Sequence, residues 1–134
     1  MSLSTEITIQ NVVRALGTVD YAVHFNLLMR LTTGDKKGAV EAVEQVYQDG
    51  KDLKQFIKQF QYFVVDVCKF KMFFSFQYVN IPELPEYRQK MEDEDLDQVV
   101  AVLDWVRQLN ADIKWESNPK SIIETSVMLF TLEV

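Results

Sequence analysis

The sequence predicts an all-α fold, a bundle of about five to six antiparallel helices. Three observations carry that expectation. Apolar residues recur every three to four positions through most of the 134 residues, the spacing that lines one face of a helix. Only four glycines and three prolines are present, too few for the turn at each strand end that a β-sandwich or barrel requires. Gly17, Gly34 and Gly50 fall between the apolar runs, where a helix C-terminus favours glycine.

Taken in order, a short helix is expected from about Thr8 to Leu16, with Ile9, Val12, Val13 and Leu16 on one face and Gly17 as its stop. A second runs from about Asp20 to Leu31 on the stripe Tyr21, Phe25, Leu28, Leu31, and Thr32-Thr33-Gly34 ends it. Asp35 is placed to accept the free amides of a third helix, whose apolar face is Ala39, Val40, Val43, Val46 and Tyr47 and which closes at Gly50. Asp52, with Gln55 three residues on, has the pattern of a capping box and opens a long fourth helix reaching about Ser75. The first half of that helix is one-sided, with Leu53, Phe56, Ile57 and Phe60 inward and Lys54, Gln55, Lys58 and Gln59 outward. Its second half is apolar almost all round, and such a helix must be covered on every side.

Residues 74–81 are rich in aromatic and β-branched side chains and suit extended backbone, while Ile81-Pro82-Glu83-Leu84-Pro85 reads as a loop. A short helix follows Pro85. A long one then spans Leu96 to Trp115 on Leu96, Val99, Val100, Leu103, Val106, Leu109 and Ile113. Asn118 as N-cap and Pro119 at the first helical position start a last helix running to about Leu132.

Composition narrows function. One domain is expected at this length, and 48% apolar with 25% charged residues is ordinary globular usage. A net charge of -6 and a pI near 4.8 argue against direct nucleic-acid binding, which rests on a basic field. Cys68 is the single cysteine, so no internal disulfide forms and a reducing compartment is favoured. Met1-Ser2-Leu3-Ser4 has no basic region leading into an apolar one, so no signal peptide is expected. The most apolar stretch, Phe60 to Phe76, is broken by Gln61, Asp66, Lys69, Lys71 and Ser75 and does not read as a membrane span. A cytoplasmic protein is expected.

No catalytic group emerges. His24, the only histidine, lies beside the stripe Tyr21-Phe25-Leu28 and reads as a packed side chain rather than a general base. Cys68 sits within the apolar helix as a small hydrophobe. Asp93, Asp95 and Asp97 alternate as calcium-loop ligands do, with Asp104 at the twelfth position, but Gln98 stands where the turn glycine is needed. They fit better as negative charge at a helix N-terminus. Gly50-Lys51 lacks the earlier glycine of a phosphate loop, Gln45 standing there, and the hydroxyl after the lysine, Asp52 standing there. No cofactor or metal is expected.

Several strings resemble one family. Ile9-Gln10-Asn11-Val12-Val13-Arg14-Ala15-Leu16-Gly17-Thr18-Val19 is similar to the last helix of the AAA+ lid domain in the bacterial DNA polymerase III gamma/tau subunit. Gly34-Asp35 with Ala39, and Gly50-Lys51-Asp52-Leu53 with Phe56, resemble that subunit's next domain, domain III or the collar. Ile113-Lys114-Trp115-Glu116-Ser117-Asn118-Pro119-Lys120 followed by Glu124 carries its strongest signature, an aromatic residue, a short loop, Asn-Pro and a basic residue opening the closing helix. The order of the strings extends the resemblance from Ile9 to the C-terminus. The run Phe70 to Tyr78 and the stretch Pro82 to Asp95 match no signature of the family.

The resemblance implies that residues 1–18 end the preceding lid domain or form a linker, and that residues 19–134 are a helical collar domain. In the family, five collar domains close a ring above the ATPase modules of the clamp loader, which places the sliding clamp on primed DNA. Catalysis would belong to the AAA+ ATPase part of the parent subunit, and this segment would be a fragment of it. The implied partners are other clamp-loader subunits: gamma/tau copies, delta and delta-prime, with homo-oligomers of the fragment also open. The candidate interface residues are Phe63, Phe70, Phe73, Phe74, Lys114, Trp115, Lys120, Ile122, Val127 and Phe130. For each apolar one of these, burial in the chain's own core is the alternative. Gly34, Asp35, Gly50, Asp52, Asn118 and Pro119 are expected to act structurally, as helix starts and stops. The competing functional reading is a free-standing helical adaptor that binds a peptide in an apolar groove.

Overall fold

The computed structural model describes residues 20–130. Among them are six helices and no strand: α1 (Tyr21–Thr32), α2 (Lys36–Gln48), α3 (Leu53–Phe73), α4 (Pro85–Asp93), α5 (Leu96–Ile113) and α6 (Pro119–Leu129). The helix expected at 8–16 and the proposed boundary at 18 lie outside the described residues.

Local chemistry sets the helix starts. The Asp20 carboxylate reaches toward the amide of Val23 at 3.5 Å, Asp35 accepts from Gly38 at 2.9 Å, and Asp52 accepts from Lys54 at 2.9 Å and Gln55 at 3.3 Å. Asp95 accepts from Asp97 and Gln98 at 2.8 and 3.3 Å. Each satisfies amides that the first helical turn leaves without an intrahelical partner. Gly34 and Gly50 take the left-handed backbone, at φ 76° and 77°, that ends α1 and α2. Asn118 occupies the N-cap position of α6 without a side-chain capping bond, so the rigid φ of Pro119 carries that start.

The 21-residue α3 is the spine, about 31 Å long. It packs most extensively against α5, while α2 bridges α1 and α6. Phe60, Ile57, Val64 and Val67 of α3 meet Val99, Val102, Val106 and Leu109 of α5 in one continuous core, all at most 2% exposed. Asn110 on α5 ties the pair laterally, donating to the Ile57 carbonyl at 3.3 Å and to Gln61 Oε1 at 2.7 Å. Trp105 Nε1 donates to the Ser126 carbonyl at 3.2 Å and holds α6 to α5.

Four details depart from the sequence reading. Tyr47 and Val100, expected inward, are exposed, and Val102 takes the buried place instead. Residues 74–81 are irregular turns rather than extended backbone. Helix α3 stops at Phe73, because Phe74 adopts φ 52° and ψ 38° and breaks the ladder. Helices α5 and α6 end at Ile113 and Leu129, two and three residues earlier than expected.

Candidate subunit interface

Burial shifts the described ionisable groups of the interior toward their neutral forms. His24 is 1% exposed and stacks on Phe56, Phe63 and Phe60 at centroid distances of 5.0, 5.4 and 5.7 Å. Its Nδ1 meets no hydrogen-bond partner. Burial pushes its pKa down to about 4, which keeps the ring neutral. Burial in α3 pushes the Cys68 thiol up to about 11, which keeps it protonated near neutral pH. Burial also raises the Asp66 carboxyl, against the lowering effect of hydrogen bonds from Asn80. Among the described residues, no cluster of three His, Cys, Asp or Glu side chains is arranged to hold a metal. None of their helices is long and apolar enough to cross a membrane. The Asp95 carboxylate serves α5 as its cap, and Gly50 serves the last turn of α2 with its amide on the Tyr47 carbonyl at 3.0 Å.

The ten candidate interface residues fall into three places. Phe63, Phe70 and Val127 are 2%, 4% and 0% exposed, so the fold spends them on its own core and they present nothing to a neighbour. Lys120, Ile122 and Phe130 are half-buried, with Phe130 set against the Trp105 ring at 5.3 Å. Phe73, Phe74, Lys114 and Trp115 are exposed.

Phe73 and Phe74 cap one end of the molecule beside Met72. All three side chains are more than half exposed. Phe74 is 85% exposed and lines a cleft of about 250 Å³ with Phe70, Lys71, Arg88 and Glu92. Trp115 is 87% exposed. It sits near the other end of the spine, because Lys54 in the first turn of α3 donates to the Lys114 carbonyl at 3.3 Å. Lys114 stacks its own ammonium over the Trp115 ring at 5.3 Å.

Lys120, a candidate interface residue, pairs within the chain. Its Nζ lies 2.8 Å from Glu44 and 3.9 Å from Glu124, and 4.4 Å above the Tyr47 ring. The hydrogen bond from Lys120 holds the Glu44 carboxyl below its ordinary range, and the same bond raises Lys120. The exposed Tyr47 therefore serves as a platform for Lys120.

Exposed apolar residues absent from the candidate set are Tyr62, Met72, Tyr78, Met128 and Leu129, each more than half exposed. A helical wheel carries a signal for some of them. Leu129 lies about 200° round the helix from the buried Val127, so both cannot face one core. Tyr78 lies in irregular backbone, where no periodicity applies.

Among the described residues the chain is a small helical bundle whose surface carries separated exposed aromatic side chains. The family model for DNA polymerase III subunits gamma and tau domain III matches residues 7–103. That is well over half of the chain, and the chain belongs to this family. None of the curated proteins and none of the solved structures compared with it matches.

Proposed function

We propose that this chain is the non-catalytic collar of a clamp-loader subunit, the part that holds subunits together in a ring during bacterial DNA replication. Membership of the gamma and tau domain III family over residues 7–103 is the observation that carries this reading. On it, residues 19–134 are the collar domain and residues 1–18 are the end of a lid domain or a linker. The partners are gamma/tau copies, delta and delta-prime, in the cytoplasm. Nucleotide hydrolysis falls to the AAA+ part of the parent subunit.

The surface supports this reading. Trp115 with Lys114, exposed near the first turn of α3, offers an aromatic and cationic contact to a neighbouring subunit. Half-buried Ile122 and Phe130 with exposed Met128 and Leu129 add apolar area on and beside α6. Lys120 supports the collar from within, by joining α6 to α2 through Glu44.

The test is association of the purified chain with delta and delta-prime clamp-loader subunits on a sizing column. Co-elution of all three ahead of any one alone is the expected result. Elution of the chain at its own position in every mixture refutes the proposal.

A further inference from the structure

The end of the molecule formed by the last turn of α3 and by α4 combines three features that ring assembly does not explain. The first is exposure: Met72, Phe73 and Phe74 are 51%, 58% and 85% exposed. The second is backbone strain. Phe74 is the one non-glycine residue with positive φ among the described residues, in a conformation that costs any residue with a Cβ. The helix C-terminal position it fills is usually glycine. A ring that is both set in a disfavoured backbone and surrendered to water is kept for something other than stability.

The third feature is charge. Between positions 83 and 97 the chain carries seven carboxylates against Arg88 and Lys90, a net -5 within a chain of -6. The nearby cations are committed. Arg88 pairs with Glu83 at 3.1 Å and Glu92 at 3.7 Å and stacks over Phe76 and Phe70. Lys71 donates to the carbonyls of Met91 and Glu92 at 3.0 and 3.4 Å. Glu86, Asp93 and Asp97 are exposed and make no ion pair among the described residues.

We propose that this end docks a basic, amphipathic helical segment of another protein, with the Phe73 and Phe74 rings as apolar anchors and the carboxylates of α4 as the matching charge. An acidic field repels nucleic acid and anionic lipid alike, which leaves a cationic polypeptide as the complement. A second copy of this chain is a poor occupant, because a two-fold contact would set the two acidic ends against each other. Lysines flanking Leu or Phe anchors at helical spacing satisfy both halves of the surface. The proposal stands apart from ring assembly and survives or fails separately.

The probe is a fluorescent peptide of Leu, Phe and Lys, about five turns of helix long, read by anisotropy beside a version with Glu in place of every Lys. The Lys peptide should bind and the Glu peptide should not. Phe74→Gly should weaken binding about tenfold or more while raising the thermal midpoint, so a loss of binding does not reflect unfolding. Glu86→Lys with Asp93→Lys should weaken it as well, and Trp115→Ser at the far end should not.

Equal binding by wild type and Phe74→Gly, or equal binding of the Lys and Glu peptides, overturns the proposal. So does a Phe74→Gly chain that no longer co-elutes with delta and delta-prime, since the patch would then be a ring contact. A concentration-dependent dimer that Phe74→Gly abolishes would assign the surface to a second copy and equally sink the proposal.

Discussion

His24 sits in a box of three phenylalanine rings, at centroid distances of 5.0 to 5.7 Å, with Nδ1 unpartnered. Neutral imidazole is tolerated there, and an imidazolium would be buried with no countercharge in contact. Its folded pKa of about 4 lies below the unfolded value of 6.5, so between those values only the unfolded chain takes up the proton. Stability is therefore complete above pH 6.5 and declines as pH falls toward 4, by up to about 3 kcal/mol. Asp66 and Glu94, whose carboxyls burial raises, act in the opposite sense and gain stability on protonation. The histidine effect is isolated by comparison: urea midpoints of wild type should fall more steeply from pH 7 to pH 5 than those of His24→Phe. Parallel pH profiles would contradict this account of the site. At Phe74, relief of the left-handed backbone by glycine should add about 1 kcal/mol in urea unfolding.

Single helices make a sharper contrast. The Asp52 carboxylate accepts two amides at the start of α3, whereas Asn118 accepts none at the start of α6. Asp52→Ala should cost about 1 kcal/mol. Asn118→Ala should cost a few tenths at most, because Pro119 already fixes the turn. A pair of denaturant titrations decides this, and equal losses would contradict the assignment.

The same distinction explains what was legible in the sequence. Helix starts at Tyr21, Lys36, Leu53 and Leu96 follow from the aspartate just before each, and that of α6 from Pro119 itself, all local signals. Facing is not local. Val100 and Val102 lie two residues and about 200° apart round α5 with equal apolarity, and only the position of α3 decides that Val102 is buried and Val100 exposed. The same holds for α3 itself, whose apolar second half read as needing cover on all sides. The bundle covers Phe63 and Phe70, ends, and leaves Phe73 and Phe74 outside. The candidate interface was thus partly legible: the sequence marks which helix is over-supplied with apolar residues, and the packing decides which of them remain exposed.

At the scale of the whole molecule, the surface is polarised. Most of the net negative charge lies at the α4 end, beside Phe73 and Phe74, and Trp115 with Lys114 marks the other. Contacts across rim charges depend on ionic strength more than contacts through buried rings do. Association through Trp115 should therefore persist in high salt, and peptide docking at the α4 end should weaken steeply. Trp115→Ser should reduce assembly with delta and delta-prime while leaving the unfolding midpoint within about 0.5 kcal/mol of wild type, since a residue 87% exposed contributes little to the core.

The central claim is that these helices hold other subunits and transform nothing. Native mass spectrometry of the chain mixed with delta and delta-prime tests it most directly. The account predicts a discrete species containing all three proteins, diminished by Trp115→Ser. Masses of the separate chains alone, at concentrations where authentic clamp-loader subunits assemble, would contradict it.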